Sequence, residues 1–215
     1  MILQIIKILS KYMLAGIIGC VVAASIFLIV YFLVYKKLMK GKSKLNLRQI
    51  GLYSAFIIYI IMVIEVTIIS RDPLYGGIPI EVFTSYKNAI YSGECTNIIL
   101  NIFMFVPLGF MLPLILKKCQ KWYITYLLGL FTTLTIEIVQ LITMRGIFEV
   151  DDIINNFLGC AIGYGLVMAL ISIIKKRNKI LPIIIYQIPL ILTITSINLI
   201  FQIYYNIEKL STLIH

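Results

Sequence analysis

The chain is poor in histidine and in charge. Its single histidine is His215, so an HExxH zinc motif or a histidine-assisted nucleophile has no imidazole to use. No GxSxG run is present either. Charged residues make up 13% of the chain and only nine are acidic, against about 25% charged in an ordinary soluble domain. The four cysteines, Cys20, Cys95, Cys119 and Cys160, show no CxxC spacing, which argues against a zinc site or disulfide framework. Cys20 and Cys160 read as small apolar packing residues. No cofactor and no metal is expected.

Apolar surface is what the chain has in excess. Of 215 residues, 61% are hydrophobic, and the mean hydropathy is +1.02; a soluble domain is about 45–50% apolar. The composition predicts an all-α, polytopic transmembrane helix bundle without a water-soluble domain. A span needs about 20 mostly apolar residues, and six runs qualify: 13–35, 50–69, 97–116, 122–144, 153–174 and 180–203. The segment MILQIIKILSKY extends the first span or lies in the interface, and no small-residue cleavage site marks it as a removable signal.

A net charge of +10 invites a nucleic-acid reading, but no DNA- or RNA-binding motif accompanies it. The basic residues fall instead in short loops. The linker 36–48 holds six Lys/Arg, 117–121 three and 175–179 four, with no acid among them. The 70–96 loop and the 145–152 turn hold six of the nine acidic residues. By the positive-inside rule the basic loops are cytoplasmic, which puts the acidic loops and both termini outside. The 70–96 loop begins SRDPLYGGIP, with Pro73, Gly76, Gly77 and Pro79 as helix breakers. It carries Tyr75, Tyr86 and Tyr91, aromatic residues suited to the headgroup level, and is expected to be a long loop on or in the membrane surface.

Ionisable residues within spans are costly, about 2.5–3.5 kcal/mol for an acid at a helix centre. Glu65 and Glu137 are the two here. Glu137 lies eight residues before Arg145, about 12 Å along a helix axis at about 1.5 Å per residue. Thr133, Glu137 and Gln140 share one helix face, which must look into the bundle or a wet cavity. The third span supplies Asn97 and Asn101, then Pro107 and Pro113, each expected to kink the helix, and Gly109, which permits close approach. The stretch FEVDDIINN, 148–156, opens the fifth span with Asp151, Asp152, Asn155 and Asn156, followed by Gly159 and Gly163 as a close-packing face. One acid at a helix start is a cap; two acids, two amides, Glu149 and Arg145 exceed what capping requires. Asp151 is read as the cap, Asp152 as a pocket residue with Asn155 and Asn156 one turn on.

Taken together, NIFMFVPLGFMLP, then IEIVQL, an arginine, and EVDDIINNFLGCAIGYGL resemble the VanZ-like membrane protein family. The matching positions are Asn101, Phe105, Pro107, Gly109, Glu137, Gln140, Arg145, Asp151, Asp152, Asn155 or Asn156, Gly159 and Gly163; Arg71 and IPIEVFTSY match more loosely. The resemblance spans roughly 52–172. It divides the chain into an N-terminal span and polybasic linker (1–49), a VanZ-like core (50–174) and a C-terminal span with its basic turn (175–215). It implies an association with resistance to glycopeptide antibiotics, teicoplanin-type lipoglycopeptides above all, in Gram-positive bacteria, and brings no catalytic mechanism.

Three functional classes fit these residues. In the first, an outward polar pocket of Asn101, Glu137, Gln140, Arg145 and Asp152 binds a lipid-linked cell-wall precursor or lipoglycopeptide, with Arg71 and Arg145 pairing with a phosphate or carboxylate; Lys87 is not assigned to it. In the second, Glu137 and Asp152 serve as acid and base of an intramembrane enzyme, or Glu149, Asp151 and Asp152 hold Mg²⁺ or Ca²⁺. In the third, Glu65 or Glu137 is the proton or substrate site of a small transporter or flippase. The lipid bilayer is a partner in all three.

Overall fold

A computed structural model of the chain describes residues 47–71, 73, 82–146, 148–174 and 180–214. The expected first span 13–35, most of the linker 36–48 and the basic turn 175–179 lie outside them. The described residues are helical, without strands. The helices are α1 (Leu47–Ile64), α2 (Thr84–Ser92), α3 (Thr96–Ile115), α4 (Trp122–Thr143), α5 (Val150–Ile174) and α6 (Ile180–Ile214). A π turn over Glu65–Ile69 prolongs α1, and a short 3₁₀ turn, Lys117–Gln120, joins α3 to α4.

Among the described residues, five helices are long and apolar enough to cross a membrane: Gln49–Ile69, Thr96–Ile115, Trp122–Thr143, Val150–Ile174 and Ile184–Ile207. The protein is a multi-pass membrane protein. Four spans agree with the sequence reading to within three residues. The last does not stop at 203, because α6 runs on to Ile214. Its 35 residues measure about 52 Å at about 1.5 Å per residue, well beyond a hydrocarbon core of about 30 Å. Aromatic rings pack on Phe83 where α6 passes that limit: Phe201 and Tyr204 each sit 5.3 Å, centroid to centroid, from it.

Two compact units organise the chain. Among the described residues, one comprises 47–71, 73 and 139–146, and the other 82–138, 148–174 and 180–214; α4 runs from the second into the first.

In the larger unit α5 is the central element, with Cys160 and Ala161 fully buried and Tyr164 and Val167 nearly so. Its glycines explain how α3 packs on it. A Cβ on Gly159 would strike the carbonyl of Ile102, and one on Gly163 the carbonyl of Val106. In return, a Cβ on Gly109 would strike the carbonyl of Cys160. Both helices therefore use small residues where their backbones touch, the arrangement that drives helix association where lipid offers no hydrophobic gain. Pro107 and Pro113 lie inside α3 without ending it. On the other side of α5, the Gln187 amide donates to the Gly165 carbonyl at 3.0 Å, tying α6 to α5.

The expected plain loop at 70–96 is in part a helix. α2 has little apolar character of its own, and its start and end are set by backbone geometry. Phe83 before it (φ 62°) and Gly93 after it (φ 70°) are both left-handed. Gly93 tolerates this freely, whereas a bulky aromatic residue does so only when its surroundings hold it there. Phe83 is 2% exposed.

Candidate functional site

Asp151, Asp152, Asn155 and Asn156 of FEVDDIINN are buried in the larger unit and reach across to neighbouring elements. Asp151 is the first. Its Oδ1 accepts from the backbone N–H of Phe83 at 2.5 Å and its Oδ2 from that of Ser85 at 2.8 Å. It is a cap, as the sequence suggested, but of α2 rather than of its own helix. The orphan N–H groups it satisfies belong to a segment 68 residues away. This contact holds Phe83 in its left-handed conformation.

Asp152, the next residue, accepts a short hydrogen bond from the side-chain amide of Asn101 on α3. Asn155, fully buried, accepts at Oδ1 from the Tyr86 hydroxyl on α2 at 2.6 Å. Asn156, 2% exposed, donates through Nδ2 to the Thr133 hydroxyl on α4 at 3.0 Å. Glu137, also on α4 and 1% exposed, accepts at Oε2 from the Glu149 backbone N–H at 3.0 Å. Asp151, Asp152, Asn155 and Asn156 thus connect α5 to α2, α3 and α4, and Glu137 ties α4 to the residue before α5. The sequence reading missed Phe83, Ser85 and Tyr86. No periodicity marks them, although IPIEVFTSY belongs to the looser part of the family resemblance.

Two atoms of this cluster have no partner. The Asn155 Nδ2 donor and the Asn156 Oδ1 acceptor are both buried and make no hydrogen bond. A buried unsatisfied polar atom costs about 1–3 kcal/mol, so each is a place where a ligand group or an ordered water gains something. Tyr86, half-buried, joins the cluster from α2. Burial first, and the Asp151 charge second, push its hydroxyl up to about 12 from the ordinary 10.0, so it acts as a donor at neutral pH.

The smaller unit holds the remaining candidates. α4 ends at Thr143, followed by Met144 in a left-handed conformation (φ 54°). Gln140, 1% exposed, donates through Nε2 to the Thr67 carbonyl at 2.8 Å. Arg145 Nη1 donates to the Ile69 carbonyl at 2.7 Å and the Ile68 carbonyl at 3.3 Å. These carbonyls belong to the last turn of the span Gln49–Ile69, where they have no helical partner. A cation there also complements the negative end of the helix dipole. Gln140 Oε1 is buried without a partner, and Arg71 Nη1 lies 3.1 Å from where a Cβ on Gly146 would stand. Arg145 therefore has a structural task that the sequence did not disclose.

Among the described residues, no group of three or more His, Cys, Asp or Glu side chains is placed to hold a metal ion. The alternative in which Glu149, Asp151 and Asp152 chelate Mg²⁺ or Ca²⁺ therefore has no support: the Asp151 and Asp152 carboxylates are occupied by backbone and side-chain amides. Cys95, Cys119 and Cys160 are free thiols. Cys160 is fully buried and packs as a small apolar residue.

No curated protein and no solved structure matches the chain. A family model does: VanZ/LLP1 matches residues 22–173. That match begins upstream of the motif-bearing stretch 52–172 and takes in the polybasic linker with part of the first apolar run. With most of its length covered, the chain belongs to the VanZ/LLP1 family.

Proposed function

We propose that this VanZ/LLP1 chain is a non-enzymatic membrane binder whose polar cluster around α5 takes the polar part of a lipid-linked or amphiphilic ligand. The supporting observation is the pair of unmet amide atoms, Asn155 Nδ2 and Asn156 Oδ1, within an otherwise satisfied buried network. One is a donor and the other an acceptor, which suits hydroxyl or amide groups of a sugar or peptide. The neighbouring carboxylates of Glu137, Asp151 and Asp152 disfavour an anion there. Arg71 and Arg145, in the other unit, are the residues suited to a phosphate or carboxylate, because a guanidinium pairs with such groups bidentately. Only Nη1 of Arg145 is engaged in its two carbonyl bonds.

In this reading the acidic loops and both termini face outward and the basic loops face the cytoplasm, supported by the 13 of 19 Lys/Arg in the 36–48, 117–121 and 175–179 segments. The ligand is a lipid-linked cell-wall precursor or a lipoglycopeptide, and binding lowers susceptibility to glycopeptide antibiotics such as teicoplanin. The family resemblance supplies that expectation. Purified chain titrated with a lipid-linked wall precursor and with teicoplanin tests it, repeated with Glu137→Gln. The reading expects saturable binding that weakens in the variant while expression and helix content stay normal. Equal affinity in both proteins overturns it.

A second reading has its own observation. Asp151, Asp152, Asn155, Asn156 and Glu137 all have internal partners, which is what an interhelical lock requires. If Glu137→Gln simply stops the protein accumulating in the membrane, the lock is the better account.

A further inference from the structure

The larger unit carries a groove of about 410 Å³ lined by none of the polar-cluster residues. Trp122 and Tyr126 of α4, Phe157 of α5, and Pro189, Ser196 and Ile200 of α6 form its walls. Pro189 and Ile200 are about eleven residues apart on one helix, which sets a length of about 16 Å at about 1.5 Å per residue. That is about half of a hydrocarbon core of about 30 Å, the depth of one leaflet.

Its apolar lining and its length of one leaflet suit a single hydrocarbon chain. The groove opens to the membrane side of α6, where Ile188, Leu192 and Ile200 are exposed.

Charge identifies the rest of the molecule. Trp122 directly follows the turn that carries Lys117, Lys118 and Lys121, all exposed. α6, the opposite wall, is preceded in sequence by KKRNK. Acidic residues are absent from both stretches. Basic sites between transmembrane helices select anionic headgroups.

We propose that this groove holds one acyl chain of an anionic phospholipid from the lysine-side leaflet, with its headgroup against Lys117, Lys118 and Lys121. The site does not depend on the function proposed for the polar cluster. It gives the protein a bound lipid between α4, α5 and α6, and makes its stability sensitive to the anionic lipid content of the bilayer.

Trp122 is the only tryptophan of the chain, so its emission reports the groove directly. The full chain in detergent micelles is titrated with phosphatidylglycerol brominated on its acyl chains, and separately with phosphatidylcholine carrying the same chains. The expected result is saturable quenching with a half-point about fivefold lower for phosphatidylglycerol, the scale of one lysine beside an anionic headgroup. The Lys118→Gln/Lys121→Gln double variant, altered only at exposed positions, brings the two half-points together. Ser196→Leu, which fills the groove, removes the saturable component. Equal half-points for the two lipids in the unaltered protein overturn the proposal. So does a preference for phosphatidylglycerol that survives the double lysine variant.

Discussion

Asp151 holds the backbone of Phe83, a residue 68 positions earlier in the chain, in a left-handed conformation. The same carboxylate takes the N–H of Ser85, so one side chain of α5 starts a helix that has no start signal of its own. The adjacent pair Asp151–Asp152 is therefore divided between two tasks: capping α2, and holding Asn101 on α3.

Asp151→Asn is expected to loosen α2. An amide presents an N–H₂ to one of the two backbone donors, and the loss is about 1–2 kcal/mol, the size of a strong helix cap. Trypsin cleavage after Lys87, inside α2, should accelerate in the variant. Ligand binding should fall less than in Asp152→Asn.

The Tyr86 hydroxyl adds a pH dependence. Its folded-state value lies near 12, above the ordinary 10.0. The folded protein thus retains a proton that the unfolded chain releases. That contribution to stability is complete below pH 10 and is lost as pH rises toward 12. Unfolding midpoints measured across this window should drop, and Tyr86→Phe should flatten the drop.

The α3–α5 contact is expected to reject even one methyl group. Gly163→Ala places a Cβ against the Val106 carbonyl, and overpacking of this kind costs about 1–3 kcal/mol. Gly51→Ala is the control, because a Cβ at Gly51 meets nothing within 4 Å. The unfolding midpoint should fall in the first variant and hold or rise in the second.

Arg145→Ala should fray the end of the span Gln49–Ile69. The Ile68 and Ile69 carbonyls lose their donor, and amide exchange at Ile69 and Ser70 should quicken. Arg71→Ala should leave that exchange unchanged.

Much of this was legible from composition. Runs of about 20 apolar residues located four of the spans, because a membrane span is a local property of the chain. The sequence points to one pocket of Asn101, Glu137, Gln140, Arg145 and Asp152, because an apolar helix cannot leave polar residues facing lipid; a hydrogen bond joins Asn101 to Asp152, whereas Gln140 and Arg145 reach the carbonyls of Thr67, Ile68 and Ile69. α2 was not. TSYKNAIYS has neither an apolar run nor a strong stripe, and its order comes from Asp151, Asn155 and the rings of Phe201 and Tyr204. The last turns of α6 were missed for a related reason: Asn206, Glu208 and Lys209 lower the hydropathy where the helix leaves the core. Arg145 looked like an anion ligand because nothing in the sequence shows that the carbonyls of Ile68 and Ile69 lie within its reach.

The central claim is that the unmet amide of Asn155 serves a ligand rather than only locking helices. Tyr86→Phe and Asn155→Ala both remove the hydrogen bond between these two residues, but only Asn155→Ala removes the free Nδ2. The affinity of each purified variant for the lipid-linked wall precursor or teicoplanin is the direct test. The account predicts a loss of about tenfold in Asn155→Ala, the worth of one hydrogen bond, and near-unaltered affinity in Tyr86→Phe. Equal affinities in the two variants would contradict it.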